Sequence, residues 1–272
     1  MKQRIIVIGQ VLVIIMLASL ASVWAKLALN EVPIFSFVWL VILLGLICLS
    51  FYSFVLKKEK FPSHLLLKNW FYLLIIGACY YLIYRLSFVY ALDKLAVTTH
   101  AYIVNFTGFI TMLMSVIWLN EKPNVLQLLG AVIAMLGLWV FFKHIPVGDE
   151  LNGILILSIG VVALALTNIL IRHLVAFSPV KLSSHMIATL TIWLGGTPLI
   201  IYGLLTDLPL QFSGHINWGI ITFNAVVVLA LSMVVWSHAL KKLRSYEISI
   251  LASSSVIFTA LFSSPLLGVS FF

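Results

Sequence analysis

Polar residues in this chain come in short clusters, and between the clusters run stretches that are apolar on every side. Nine such stretches stand near Ile5–Leu29, Pro33–Leu56, Asn69–Leu92, Leu95–Leu119, Val125–Phe142, Leu151–Val175, Ser183–Leu205, Ile216–Leu240 and Tyr246–Gly268. A bilayer core roughly 30 Å thick needs about 20 mainly apolar residues per spanning helix. Barrel strands would instead alternate apolar and polar residues over about 10 positions. The pattern therefore predicts an all-α membrane protein, a polytopic helical bundle of nine spans. The first run follows Lys2 and Arg4 but is too long for a secretory signal, and eight more follow it, so it reads as a retained helix. The connections reach only a dozen or so residues, which leaves no room for a soluble domain.

Composition agrees. With 63% hydrophobic and 9% charged residues and a mean hydropathy of +1.18, no water-soluble fold covers this surface. The charge pattern adds orientation, because basic residues accumulate in short cytoplasmic loops. With the N-terminus inside, twelve basic residues fall in inside segments. Only Lys26, Lys94 and Lys143 fall outside, and Arg85 lies within a span. The net charge of +8 is thus a topology signal and not a sign of nucleic-acid binding. Nine spans from a cytoplasmic N-terminus place the C-terminus on the opposite side. Cys48 and Cys79 lie within spans without metal or disulfide spacing, so they read as packing residues, and no cofactor is expected.

The chain also repeats itself faintly. Trp24-Ala25-Lys26, with Pro33 nine residues after the Trp, returns as Leu170-Ile171-Arg172 with Pro179. Gly108-Phe109-Ile110-Thr111, thirteen residues before Glu121, returns as Val256-Ile257-Phe258-Thr259, thirteen before Val269. The offsets, 146 and 148, align two halves almost without gaps: residues 1–144 (spans one to five) and 145–272 (spans six to nine). Five helices per repeat turn the second copy upside down. Inverted repeats of this kind build secondary transporters, with the substrate site near the midplane. Chance similarity between apolar segments is the competing explanation.

The stretch from Gly77 to Gly137 carries a resemblance. It holds Gly77, Phe88, Ala91-Leu92, Leu119-Asn120-Glu121-Lys122, Gln127-Leu128-Leu129-Gly130 and Gly137. In this the chain resembles the EamA-type members of the drug/metabolite transporter superfamily, whose pattern ends one helix in "LGE" and continues "QxxGxxLIxxG". Asn120 replaces the first Gly of that pattern, Gly108 stands where a Pro is usual, and Trp39 sits where an Arg often begins the second helix. The resemblance implies inverted five-helix repeats, alternating-access transport of small metabolites, and a cavity lined by the third, fourth, eighth and ninth spans. It also implies ten helices. After Gly268-Val269 the tenth is missing, through truncation or as a natural nine-span variant.

Arg85 is the sharpest chemical signal. A charge at such depth is costly and faces a cavity or a partner. Two placements are open: holding a substrate carboxylate or phosphate with its planar fork, or snorkelling outward to Asp93 or headgroups. Helical spacing puts Tyr81 on the Arg85 face and Tyr84 elsewhere. His100 and Thr107, seven apart on the fourth span, share a face, with Asn105 between them. Asn168, Asn224 and Ser253-Ser254-Ser255 put polar groups in the sixth, eighth and ninth spans, where interhelical hydrogen bonding competes with a cavity role. Trp24, Trp236 and His238 read as interfacial. No acid sits at a midplane position, so proton coupling falls to His100 or His185, or the transport is uncoupled. The expected substrate-binding set is Arg85, Tyr81, His100, Asn105, Thr107, Asn224 and Ser254. The expected function is export of small metabolites, amino acids or related amphipathic compounds, across the inner membrane. Its partners are the lipid bilayer and the small-molecule substrate, with no nucleic acid; oligomeric state is not legible. Cationic drug efflux, a membrane enzyme and an inactive truncated transporter are the alternatives. An enzyme needs clustered His, Asp or Glu, and the seven His are scattered.

Overall fold

The computed structural model describes residues 2–62, 67–120, 148–176, 182–212 and 214–267, with isolated positions between 125 and 133. Within these residues every regular element is helical, as lipid demands of backbone that must satisfy its own hydrogen bonds. The elements are α1 (Lys2–Ala28), α2 (Ile34–Ser50), α3 (Leu67–Gly77), α4 (Arg85–Lys94), α5 (Val97–Val104), α6 (Phe106–Leu119) and α7 (Asp149–Ala176). They continue with α8 (Ser184–Thr206), α9 (His215–Phe223), α10 (Ser232–Lys242), α11 (Ser245–Ala252) and α12 (Ser255–Leu267). Three π-helical stretches prolong or join them: Phe51–Leu56 after α2, Ala78–Tyr84 between α3 and α4, and Asn224–Leu231 between α9 and α10.

Among the described residues, seven helices are long and apolar enough to cross a membrane: Gln3–Ala28, Ile34–Leu56, Asn69–Lys94, Val97–Leu119, Asp149–Val175, Ser184–Thr206 and His215–Lys242. This is a multi-pass membrane protein. The fifth predicted span, with Glu121, Gln127 and Gly137, lies mostly outside the described residues, and so do Pro179 and Gly268-Val269. The ninth predicted span is not one continuous helix. It divides into α11 and α12 at Ser253-Ser254, where amides reach back three residues to Ile250 and Leu251 (3.0 and 3.1 Å) in 3₁₀ fashion.

Irregularities recur at matched positions in the two halves. The fourth span breaks at Asn105, whose amide is shared between the Ala101 and Tyr102 carbonyls, both at 3.2 Å. Ser253, at the second break, stands 148 residues later. The π-helical stretches begin at Ala78 and at Asn224, 146 residues apart. α4 ends at an extended Leu95-Ala96 link and α10 at an extended Leu243-Arg244 link. Lys26 Nζ donates to the Leu92 and Asp93 carbonyls (2.7 and 2.5 Å). Arg172 donates to the Leu240 carbonyl at 2.6 Å. In both places a cation near the end of a long helix satisfies carbonyls that a helix C-terminus leaves unpaired.

Small residues let the helices close. Spans without a water-driven hydrophobic effect between them associate through close packing. At the crossing of α3 and α8, a Cβ on Gly195 would stand 2.1 Å from the Gly77 carbonyl carbon, so both positions require glycine. Trp39 lies against Gly203 and donates to Asp207 Oδ2 at 2.6 Å. Charged residues gather at the two ends of the bundle. Arg4 pairs with Glu247 (2.5 Å), and Glu59 accepts from Ser183 (2.8 Å) and bonds His185 (2.7 Å). Asn217 donates to Glu31 at 2.7 Å.

Candidate functional site

A cavity of about 170 Å³ opens inside the bundle between α1, the π-helical stretch Ala78–Tyr84 with α4, α5, α7, α10, α11 and α12. Arg85 lines it. Its side chain is 3% exposed, and its Nε has no hydrogen-bond partner. No carboxylate pairs with it among the described residues: Asp93, the outward alternative, pairs with Lys94 at 3.5 Å. Nor is any described cavity-lining residue acidic. The Phe88 ring faces it, with its centroid 6.0 Å from the guanidinium carbon.

The π-helical stretch decides what accompanies Arg85. Its i→i+5 bonds widen the turn, and the Arg85 amide donates to the Tyr80 carbonyl. Tyr80, one π-turn back, therefore lines the cavity with Arg85, and so do Tyr84 and Phe88. This corrects the α-helical spacing argument, which put Tyr81 there and turned Tyr84 away. Tyr81 is fully buried outside the cavity lining, within the main apolar core. Tyr80 and Tyr84 are tilted at 5.6 Å between centroids, and Tyr84 meets Phe88 edge-on at 5.5 Å, so an aromatic wall rises next to the charge.

The other expected site residues divide. His100 lines the cavity, donates through Nε2 to the Phe88 carbonyl at 3.0 Å and stands edge-on to the Phe88 ring at 4.3 Å. Thr107 does not share its face, because the break at Asn105 ends α5 and restarts the helix as α6. Thr107 is buried away from the cavity, and its hydroxyl lacks a partner. Asn105 sits at the break and accepts from Ser255 at 3.3 Å. Asn224 bonds its own helix at Ile220 (3.0 Å), and Ser254 bonds Leu251 (2.8 Å); neither lines the cavity.

Several lining residues escaped the sequence reading. Trp236, read as interfacial, lines the cavity and donates to Asn168 Oδ1 at 2.8 Å. Ser19 and Ser22 on α1 and Thr167 on α7 bring the first and sixth spans into the wall. Their signal was present as polar residues three apart, or adjacent to Asn168, on otherwise apolar helices. Among the described histidines only His100 enters the cavity, and no group of three or more metal-capable side chains occurs among the described residues.

The EamA-like transporter family model matches residues 5–143 and, separately, residues 151–271. The chain belongs to the EamA-like transporter family. A solved structure described as "Crystal structure of protein" shares the fold of this EamA-like chain with a TM-score of 0.74 at 12% identity. The match covers 98% of this chain and 90% of the other. No curated protein matches the chain. The two family matches fall on the two halves that share π-helical stretches, helix breaks and cation-capped ends.

Proposed function

We propose that this protein exports small metabolites bearing an anionic group, amino acids or related amphipathic compounds, across the inner membrane. The observation that carries this reading is the buried Arg85 guanidinium, with no carboxylate partner among the described residues, on the wall of a cavity with no acidic residue in its described lining. A lone charge held away from water is expensive, and an anion beside it offsets that cost. At about 4 Å and an effective dielectric near 20 the pair is worth roughly 4 kcal/mol.

The two family matches are inverted copies that exchange the open side of the cavity by rocking against each other. Matched breaks at Asn105 and Ser253 and matched capping by Lys26 and Arg172 support this. The N-terminus lies in the cytoplasm, on the strength of the basic residues at that end. Efflux of large cationic drugs is disfavoured. The fixed charge has the wrong sign, and 170 Å³ is below the roughly 300–1,000 Å³ of pockets for drug-sized ligands. Uptake into proteoliposomes of radiolabelled amino acids and organic acids tests the reading: saturable uptake of at least one anion-bearing compound is expected, and flux of cations alone would refute it.

A further inference from the structure

We infer that, among the anion-bearing compounds proposed above, the cavity binds monoanions with a flat apolar body, aromatic or short apolar monocarboxylates, most tightly, takes amino-acid zwitterions more weakly and rejects amines; this rests on the assignment of Arg85 as the anion-binding group. Charge balance carries the inference. Among the described residues, Arg85 is the sole charged residue of the lining, and every described acid lies outside that lining. A bound monocarboxylate closes the site as a neutral pair. A bound zwitterion brings an ammonium within a few ångströms of the guanidinium and leaves the buried site with a net positive charge.

The polar groups of the lining do not remedy this. The hydroxyls of Ser19, Ser22 and Thr167 donate to carbonyls of their own helices at 2.9, 3.0 and 3.0 Å. Their free lone pairs accept a proton donor but supply no counter-charge. The Asn168 oxygen is engaged by Trp236. The rest of the wall suits an apolar plane. Tyr80, Tyr84 and Phe88 present successive rings on one side, and Trp236 adds a fourth ring to the lining. Aromatic faces favour offset or edge-on contact with a ring. The volume, about 170 Å³, admits a ligand of one ring with a short side arm.

Three compounds with the same ring and different charge separate the possibilities: 3-phenylpropanoate, L-phenylalanine and 2-phenylethylamine. Each is titrated by calorimetry into the purified full-length protein in detergent at neutral pH, and again into the Arg85→Gln variant. Binding of 3-phenylpropanoate about tenfold or more tighter than phenylalanine, with no binding of the amine and a loss of at least tenfold in the variant, is expected. Phenylalanine binding as tightly as the monoanion overturns the inference but leaves Arg85 in its role, provided the variant weakens both. Binding of the monoanion that is indifferent to Arg85→Gln, or preferential binding of the amine, overturns both readings; no binding of any of the three overturns the inference alone.

Discussion

The backbone N–H of Arg85 donates to the carbonyl of Tyr80, five residues back rather than four. That one extra residue in the turn rotates the aromatic cluster around the helix. It brings Tyr80 and Tyr84 to the cavity beside the guanidinium and leaves Tyr81 in the apolar core. Substituting these tyrosines separates the two roles. Tyr80→Ala and Tyr84→Ala should each weaken substrate binding by up to about tenfold, the worth of an aromatic contact, with little loss of thermal stability. Tyr81→Ala should do the reverse, lowering the melting temperature while leaving affinity in the surviving protein near wild type. Titration and melting curves on the same detergent preparations check both.

The crossing of α3 and α8 is a second point where one atom decides. Gly195→Leu should prevent assembly, because its first carbon already overlaps the backbone at Gly77, and overpacking a filled site costs about 1–3 kcal/mol even where neighbours can shift. Gly9→Ala, with nothing within 4 Å of the added carbon, should accumulate normally. Comparing the monodisperse fraction of the two variants by size-exclusion chromatography checks this.

Lys26 and Arg172 should prove equivalent. Each donates to carbonyls at the end of a helix 66 to 68 residues later, and a hydrogen bond to a charged group contributes about 1.5–3 kcal/mol. Lys26→Met and Arg172→Met should both lower the melting temperature and slow transport. An effect confined to one of them would argue against matched halves.

Topology has a direct readout. In a Cys48→Ala, Cys79→Ala background, the exposed positions Lys58 and Asp149 changed singly to Cys should react with a membrane-impermeant maleimide on opposite sides. Lys58→Cys should label only in inside-out vesicles, and Asp149→Cys in intact cells. Labelling of both from one side would rule out the proposed arrangement.

Most of the architecture was legible from hydrophobic run length, because a bilayer imposes nearly the same requirement on every span. The runs around Ile5–Leu29 and Ser183–Leu205 became α1 and α8 within a few residues. The depth of Arg85 was legible for the same reason: a charge among apolar neighbours is rare enough to stand out. Side-chain direction was not. Placing Tyr81 and Thr107 relied on a uniform 3.6-residue turn, and the π-helical stretch at Ala78–Tyr84 and the break at Asn105 each defeat it locally. Nothing in Ala-Cys-Tyr-Tyr-Leu-Ile-Tyr announces a wider turn, since it is sustained by packing against other helices rather than by local propensity. Trp236 was misplaced because a Trp near a span end is most often interfacial, whereas here Asn168 draws its indole N–H inward.

The central claim is that Arg85 binds the transported anion inside the cavity, and substrate flux in Arg85→Ala proteoliposomes tests it most directly. At matched protein levels, flux of the anionic substrate should fall by about 100-fold or more, since the lost pairing is worth roughly 4 kcal/mol. Arg85→Lys should restore only part of it, a point charge being unable to reproduce the bidentate fork. Wild-type flux in the Ala variant, with the protein folded and present in the membrane, would contradict the account.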